Sequence, residues 1–177
     1  MLDNYDRHQL PMKLLEGLEL ITPKKHYDER GYFLESYSSK RYDQLFVQDN
    51  LVYSEKDVLR GLHYQKGPNA QGKLVTCVQG EIFDVAVDMR PESPTYGEYY
   101  GVLLTGENNW QLWIPPGFAH GYSVLSYGAT VLYKCDALWE PGMEGGFHWD
   151  DRTLNIEWGV DKPIVSEKDQ ELPEWTK

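Results

Sequence analysis

Two of the five histidines, His63 and His120, stand in glycine-rich segments of the chain. His63 lies in RGLHYQ, residues 60–65, and His120 lies in PPGFAHG, residues 115–121. Glycine lets the backbone pass close to a ligand, so a side chain in such a segment between strands can face a cavity. We expect His63 to do so. His120 either lines the same cavity as a hydrogen-bonding residue or is a buried histidine with satisfied hydrogen bonds.

The two segments are similar to the halves of a cupin metal motif, but the ligand pattern is altered. Where a metal-binding cupin offers His-x-His and then a glutamate, this chain has His63, Tyr64 and Gln65 and then Lys73. A lysine ammonium repels a divalent cation, and His63 with His120 provides too few ligands. The pattern therefore predicts a cupin-type barrel without a metal, and it argues against a metal-dependent oxygenase.

Short strands joined by turns are indicated by 16 Gly, 10 Pro and a 14% share of aromatic residues. The clearest strand is residues 81–89, where a period-two alternation predicts one buried face and one face that exposes Asp84 and Asp88. Residues 73–78 and the turn at Gln79 and Gly80 predict a hairpin with that strand. Residues 38–46 have loose helical spacing and predict a short helix.

Further strands are predicted at residues 98–104, 110–114, 121–125 and 130–135, each bounded by Gly, Pro or Asn. Regular short spacing of this kind is typical of an all-β sandwich or barrel. The 177 residues contain no repeat, linker or low-complexity run. We therefore expect one domain spanning residues 1–177.

The charge balance excludes a nucleic-acid-binding surface. The chain has 17 Lys and Arg against 28 Asp and Glu, a net charge of -11, whereas phosphate backbones require clustered cations. No stretch approaches the ~18 apolar residues of a membrane-spanning helix, and residues 1–13 lack the apolar run of an export signal. We expect a cytoplasmic protein that binds no membrane, with Cys77 and Cys135 as reduced core residues.

Motif spacing alone leaves a catalytic barrel and a non-catalytic sugar-binding cupin equally open. Ten collinear blocks favour the enzyme, because together they resemble the dTDP-4-dehydrorhamnose 3,5-epimerase family over nearly the whole chain. The blocks are 28–33 (DERGYF), 48–50 (QDN), 58–65 (VLRGLHYQ), 71–73 (QGK), 83–90 (FDVAVDMR), 93–97 (SPTYG), 113–121 (WIPPGFAHG), 132–134 (LYK), 149–151 (WDD) and 166–169 (SEKD). The resemblance implies a double-stranded β-helix, a jelly-roll barrel of the cupin type with short peripheral helices.

The same resemblance implies an isomerase that inverts C3, C5 or both in a nucleotide-linked 4-keto-6-deoxyhexose, without a cofactor. The expected reaction converts dTDP-4-dehydro-6-deoxyglucose to dTDP-4-dehydro-L-rhamnose. Because the ketone acidifies the hydrogens on C3 and C5, the reaction needs a base on one face, an acid on the other and a cation at the enolate oxygen. His63 matches the family's base and Asp169 its carboxylate partner, while Tyr133 matches the acid and Lys73 the cation.

Substrate contacts are also implied by the resemblance. Arg30 and Arg60 are the expected phosphate-binding cations, since the guanidinium fork suits phosphate oxygens. The remaining expected contacts are Phe33, Glu35, Gln48, Asn50, His120, Trp139 and Lys168. The resemblance further implies a homodimer, in which the strand that carries Arg30 and Glu35 exchanges between subunits and completes each site.

The chain departs from the family at two places near the expected site. Leu51 and Val52 stand where small polar residues are common, and Trp139 stands where the family usually has a tyrosine. An indole is bulkier and lacks the hydroxyl, so it can alter how the sugar turns between the two inversions. These departures leave open whether C3, C5 or both are inverted, and whether the nucleotide is dTDP, CDP or GDP.

Overall fold

The computed structural model describes residues 14–176, so the expectation for residues 1–13 lies outside the described part of the chain. One α-helix, α1 (Glu167–Gln170), and a 3-10 turn at Gly67–Asn69 accompany the strands. The strands are β1 (Glu19–Ile21), β2 (His26–Asp28), β3 (Gly31–Phe33), β4 (Gln48–Glu55), β5 (Leu59–Gln65), β6 (Lys73–Gln79), β7 (Glu81–Asp88), β8 (Tyr99–Thr105), β9 (Gln111–Ile114), β10 (Phe118–Val124), β11 (Gly128–Cys135) and β12 (Glu144–Gly146).

Two five-stranded antiparallel sheets and a separate β2–β3 hairpin are formed by these strands. Sheet I has the order β1-β9-β6-β11-β4, and sheet II has the order β12-β5-β10-β7-β8. Apolar side chains of both sheets meet in one core cluster that includes Val75, Leu112 and Val131 from sheet I and Ile82 and Leu104 from sheet II. The predicted all-β, cupin-type double-stranded β-helix is confirmed.

His63 and His120 lie within strands, and the prediction that they stand between strands was wrong. The strand predicted at residues 121–125 is part of β10, which begins at Phe118, and His120 pairs directly with His63 of β5. The nearby glycines allow close approach of two backbones instead of forming turns. A Cβ atom on Gly61 would lie 2.6 Å from the Cα of Gly121.

The predicted hairpin between residues 73–78 and the following strand does not form. β6 pairs with β9 and β11 in sheet I, whereas β7 pairs with β8 and β10 in sheet II. The chain crosses between the sheets at Gly80, which has a φ of 81° and whose added Cβ would meet the Gly128 carbonyl at 2.2 Å. A turn that suits a hairpin thus serves here as a crossover, because each strand has two better partners elsewhere.

The face of β7 that was predicted to be exposed is buried. Asp84 and Asp88 are both 0% exposed, since segments from the C-terminal part of the chain, with Leu154, Trp158 and Trp175, cover one side of sheet II while the barrel core covers the other. Asp84 pairs with His120 and Asp88 with Arg90. Partners within the fold therefore take the place of water at both carboxylates, although Asp84 Oδ2 has no hydrogen-bond partner among the described residues.

Residues 38–46 form turns and irregular structure, so the prediction of a helix there was wrong. Their apolar spacing reflects packing onto sheet I: Tyr42 and Phe46 join Trp113 in a small cluster, with the rings of Phe46 and Trp113 5.7 Å apart. The Tyr42 hydroxyl donates to Gln111 Oε1 at 2.7 Å. Tyr42 and Phe46 are four residues apart, as in a helix, but here they attach an irregular segment to sheet I.

Within residues 14–176, no helix has the length and apolar character needed to cross a bilayer. Cys77 and Cys135 are buried and free, as predicted. Burial raises the pKa of the Cys77 thiol to about 12 and that of Cys135 to about 11, so both stay protonated at neutral pH.

Candidate active site

A cavity of about 510 Å³ is lined by both sheets and by the C-terminal segment. Sheet II supplies Arg60, His63 and His120, and α1 supplies Lys168 and Asp169. Sheet I supplies Lys73 and Tyr133. A second cavity of about 200 Å³ adjoins it and shares His63, Lys73 and Tyr133. All four residues predicted to be catalytic therefore line one cavity.

His63 and Asp169 form a close pair at the cavity wall. His63 Nε2 lies 2.7 Å from Asp169 Oδ1, and Asp169 Oδ2 accepts the Gly61 N–H at 3.2 Å. The His63 side chain is 32% exposed, whereas that of Asp169 is only 5% exposed. A carboxylate at Nε2 holds the proton on that nitrogen and leaves Nδ1 free to accept one, so the imidazole is arranged as a base.

The short helix α1 presents Asp169 to His63. Ser166 caps the helix by accepting the Asp169 N–H on its Oγ at 3.1 Å, which fixes the first turn. Burial acts to raise the pKa of Asp169, but the hydrogen bond and charge of His63, together with the hydrogen bonds to Gly61 and Ser166, outweigh it and hold that pKa below its usual range. Asp169 therefore remains ionised and can stabilise an imidazolium on His63.

Lys73 and Tyr133 face the cavity from the opposite sheet. Lys73 pairs in register with Cys135, two residues beyond Tyr133 on β11, so the three side chains share one face of sheet I. Burial lowers the pKa of the Lys73 ammonium and raises the pKa of the Tyr133 hydroxyl. No described carboxylate forms an ion pair with Lys73, which leaves its cation available to an anion in the cavity.

His120 is held by a second carboxylate. Its Nε2 lies 2.8 Å from Asp84 Oδ1, and the side chains are 8% and 0% exposed, respectively. Both of the readings left open by the sequence apply, because His120 lines the cavity and is also buried with a satisfied hydrogen bond. The register of β5 and β10 places it beside His63.

Gln48, Asn50 and Trp139 line the adjoining cavity. Gln48 Nε2 donates to Asn50 Oδ1 at 3.1 Å, and Gln48 Oε1 accepts the Trp139 backbone N–H at 2.9 Å. Trp139 is 50% exposed, so part of its surface is open to a ligand. These residues form a polar wall with one aromatic face.

Arg30, Phe33 and Glu35 lie outside both cavities of their own chain. They belong to, or follow, the β2–β3 hairpin, on which Phe33 is 70% exposed. Arg30 pairs with Asp28, and Glu35 pairs with Arg41. Within one chain the structure does not bring these three predicted contacts to the site.

A family model described as dTDP-4-dehydrorhamnose 3,5-epimerase matches residues 13–177. This chain belongs to that family. The dTDP-4-dehydrorhamnose 3,5-epimerase of Salmonella typhimurium is 51% identical over 161 residues, which cover 87% of this chain and 88% of the relative. The crystal structure of the Elizabethkingia anophelis epimerase superposes with a TM-score of 0.87 at 45% identity, covering 91% of this chain and 92% of that one.

A third similar protein has been solved with a sugar nucleotide. It is the dTDP-6-deoxy-D-glucose-3,5-epimerase of Legionella pneumophila in complex with dTDP-4-keto-L-rhamnose. It is 46% identical, with a TM-score of 0.83, and the match covers 90% of this chain and 94% of that one.

Epimerase family membership gives the arrangement of the cavity a chemical meaning. An imidazole paired with a carboxylate lies on sheet II, while a phenol and an ammonium lie on sheet I. Such an arrangement can remove a proton from a carbon beside a ketone, stabilise the enolate oxygen and return a proton from the other side. In residues 14–176, no group of three or more His, Cys, Asp or Glu side chains is placed to hold a metal ion.

Glu144 lies at this site but was not predicted from the sequence. Glu144 lines the adjoining cavity and pairs with Lys168 at 2.5 Å, which joins β12 to α1. The hydrogen bond from Lys168 holds the pKa of Glu144 below its usual range. The available signal was its position before Gly145 and Gly146, a glycine-rich context like those of His63 and His120.

Proposed function

We propose that this chain inverts C3 and C5 of dTDP-4-dehydro-6-deoxyglucose and so forms dTDP-4-dehydro-L-rhamnose. The observation that carries the proposal is the His63–Asp169 pair on one side of a cavity whose other side holds Tyr133 and Lys73. A base and an acid on opposite sheets match a reaction that removes a proton from one face of a carbon and returns one to the other.

His63 takes the proton from C3 or C5, and Asp169 stabilises the resulting imidazolium. The electron pair moves onto the C4 oxygen, where the Lys73 ammonium stabilises the enolate. Tyr133 then delivers its proton to the opposite face of the same carbon. Exchange with solvent returns the proton to Tyr133 and removes one from His63, and the second centre is inverted in the same way.

The nucleotide extends from the sugar along the remaining cavity residues. Arg60 and Lys168 bind the diphosphate, since both cations line the larger cavity. Gln48, Asn50 and Glu144 contact polar groups, and Trp139 offers its exposed ring to the base. The similar Legionella pneumophila epimerase was solved with dTDP-4-keto-L-rhamnose, which supports thymine as that base.

The functional molecule is a cytoplasmic homodimer with one such domain per chain. The β2–β3 hairpin supports this, because Tyr27 and Phe33 are 71% and 70% exposed and Arg30, Phe33 and Glu35 do not line the cavities of their own chain. A partner subunit that received the hairpin would bury these rings and gain the missing contacts.

Analytical ultracentrifugation should give twice the chain mass, and Phe33→Asp should shift the protein toward monomers.

The decisive experiment is incubation with dTDP-4-dehydro-6-deoxyglucose in deuterium oxide, followed by NMR. We expect deuterium at both C3 and C5 together with the L-rhamno configuration. Deuterium at only one carbon would restrict the enzyme to one centre. Bound dTDP without any exchange in the sugar would indicate a non-catalytic binding module and would contradict the proposal.

A further inference from the structure

Arg60 is held by an unusual partner for a cation in a binding cavity. Its Nε donates to Ser54 Oγ at 3.0 Å, and no described carboxylate forms an ion pair with it. Arg60 is solvent-accessible on β5 and lines the cavity. Its positive charge is therefore uncompensated and available to an anionic ligand, while its orientation depends on a neutral hydroxyl.

Ser54 is buried and connects the two sheets at this point. It is 3% exposed, and its Oγ lies 3.1 Å from the hydroxyl of Tyr122, which is 4% exposed. Ser54 belongs to edge strand β4 of sheet I, whereas Arg60 and Tyr122 are register partners in sheet II. The three side chains thus form a hydrogen-bonded chain from one sheet to the other.

The roles within this chain follow from what each group can donate. Arginine has N–H donors and no acceptor, so Ser54 must accept the bond from Arg60. A serine hydroxyl has one hydrogen and two lone pairs, which lets it meet Tyr122 as well. Burial raises the pKa of Tyr122, and that phenol stays neutral at physiological pH. The guanidinium is therefore oriented without losing charge to a carboxylate.

We infer that Ser54 is a positioning residue that decides how Arg60 holds the substrate diphosphate. Because Nε is bound to Ser54, the two terminal nitrogens are the part of the guanidinium left to grip phosphate oxygens, as an end-on fork. The inference rests on the proposed function, since it takes the ligand to be a nucleoside diphosphate. Ser54 does not line the cavity and so need not touch the ligand.

Orientation matters here because a guanidinium is planar and its bidentate bonds require a defined plane. Without the bond to Ser54, the Arg60 side chain would sample several rotamers. Binding of the phosphate would then have to fix one of them, which costs conformational entropy. The loss should appear in recognition of phosphate groups and not in recognition of the nucleoside.

The test compares dTDP and thymidine binding by calorimetry in wild type and Ser54→Ala. We expect dTDP to bind about tenfold more weakly or worse, the usual weight of one charge-assisted hydrogen bond, while thymidine affinity is unchanged. In the epimerase assay the effect should appear mainly in KM. Ser54→Thr keeps a hydroxyl on a β-strand and should restore most of the affinity.

Ser123→Ala is the matched control. Ser123 is 0% exposed on neighbouring strand β10, and its hydroxyl donates to the Trp158 carbonyl at 2.5 Å, away from Arg60. This variant should melt at a lower temperature and bind dTDP as wild type does. A purely structural role for Ser54 would make the two serine variants behave alike.

A double-mutant cycle shows whether Ser54 acts through Arg60. In an Arg60→Lys background, Ser54→Ala should change dTDP affinity by less than about twofold, because the oriented fork is already lost. If Ser54→Ala does not fold, Ser54→Cys keeps a side chain of similar size but replaces the hydroxyl by a weak acceptor, and it should weaken dTDP binding selectively. Wild-type dTDP affinity in whichever of these two variants folds would overturn the inference. Failure of wild type to bind dTDP would instead overturn the proposed function.

Discussion

Tyr133 and His63 are both partly buried in the cavity wall, and the surroundings of each suit its proposed role. Burial raises the pKa of the Tyr133 hydroxyl, which keeps the phenol protonated and ready to donate. The His63 side chain is 32% exposed and can exchange its proton with solvent. Removing one group at a time should therefore separate proton removal from inversion.

Tyr133→Phe should stop inversion while exchange continues. The ring remains, but the acid is lost, so His63 can only return a solvent deuteron to the face from which it took the proton. We expect deuterium at C3 or C5 with retained configuration, and inverted product reduced by at least about 10²-fold. Tyr100→Phe, a buried tyrosine of the barrel core, should leave both measurements unchanged. Inversion at the wild-type rate would remove Tyr133 from the mechanism.

His63→Ala should lose exchange and inversion together. The proposed base is absent, and both reactions should fall by about 10²-fold to 10⁴-fold, with water replacing the imidazole at best. Circular dichroism should show a folded protein, because the His63 side chain is part of the cavity wall and not of the apolar core. His148→Ala, outside both cavities, is the control. Unchanged turnover in His63→Ala would assign the base to another residue.

At the scale of elements, the C-terminal segment anchors the helix that carries Asp169. Trp175 is 5% exposed and packs with its ring centroid 5.0 Å from those of both Tyr96 and Phe147. Its backbone N–H donates to Asp151 Oδ2 at 2.6 Å. These contacts of Trp175 fix the position of the chain six residues beyond Asp169. Packing of Trp175 therefore supports the position of Asp169 beside His63.

Trp175→Ala should therefore lower kcat/KM by releasing Asp169 from His63, in addition to destabilising the fold by about 3–5 kcal/mol. Measurements well below the melting temperature separate the two effects. In an Asp169→Asn background the same change should have no further effect on turnover, because the contact that it supports is already lost. An equal loss in both backgrounds would mean that Trp175 affects activity by another route.

The loop between β7 and β8 depends on a buried carboxylate. Asp88 accepts hydrogen bonds from Arg90, Ser93 and Thr95. Burial opposes ionisation of Asp88, but these bonds outweigh it and hold its pKa well below the usual range. Because the pKa is depressed in the folded state, the stabilisation is complete above the unfolded pKa near 3.9 and is lost as the pH falls toward the folded value.

Asp88→Asn should accordingly lower stability at pH 7 by about 2–4 kcal/mol, since it breaks a buried ion pair. The difference from wild type should shrink below about pH 4, where the carboxylate of the unfolded chain begins to bind protons while the native one is still ionised. Thermal melts between pH 7 and pH 2 measure both effects. A difference that is constant across this range would show that the charge of Asp88 is unimportant.

At the scale of the whole molecule, the site exists only where the two sheets and the C-terminal segment meet. Lys73 occupies the position at which the sequence pattern of a metal-binding cupin has a ligand, and it presents a cation to the cavity. We expect prolonged chelation to leave turnover and melting temperature unchanged. Stoichiometric metal in the purified protein, with activity lost on its removal and regained on its return, would contradict this expectation.

Much of the barrel was predictable because it depends on local features. Residues 73–78, 98–104 and 130–135 agree with β6, β8 and β11 to within two residues, since alternation and turn residues act over short stretches. Family-like blocks also indicated His63, Lys73, Tyr133 and Asp169, which line one cavity.

Only the tertiary structure decided which strands pair and which side chains contact one another. No local pattern states that β6 and β7 enter different sheets, that Asp84 is buried against His120, or that Ser54 bonds to Arg60. Glu144 reaches Lys168 only because β12 joins the edge of sheet II. The chain by itself indicated the strands from β6 to β11 and the residues that carry reactive groups. Pairing between distant strands determined their neighbours, because burial and hydrogen bonding depend on the whole fold and not on the adjacent residues.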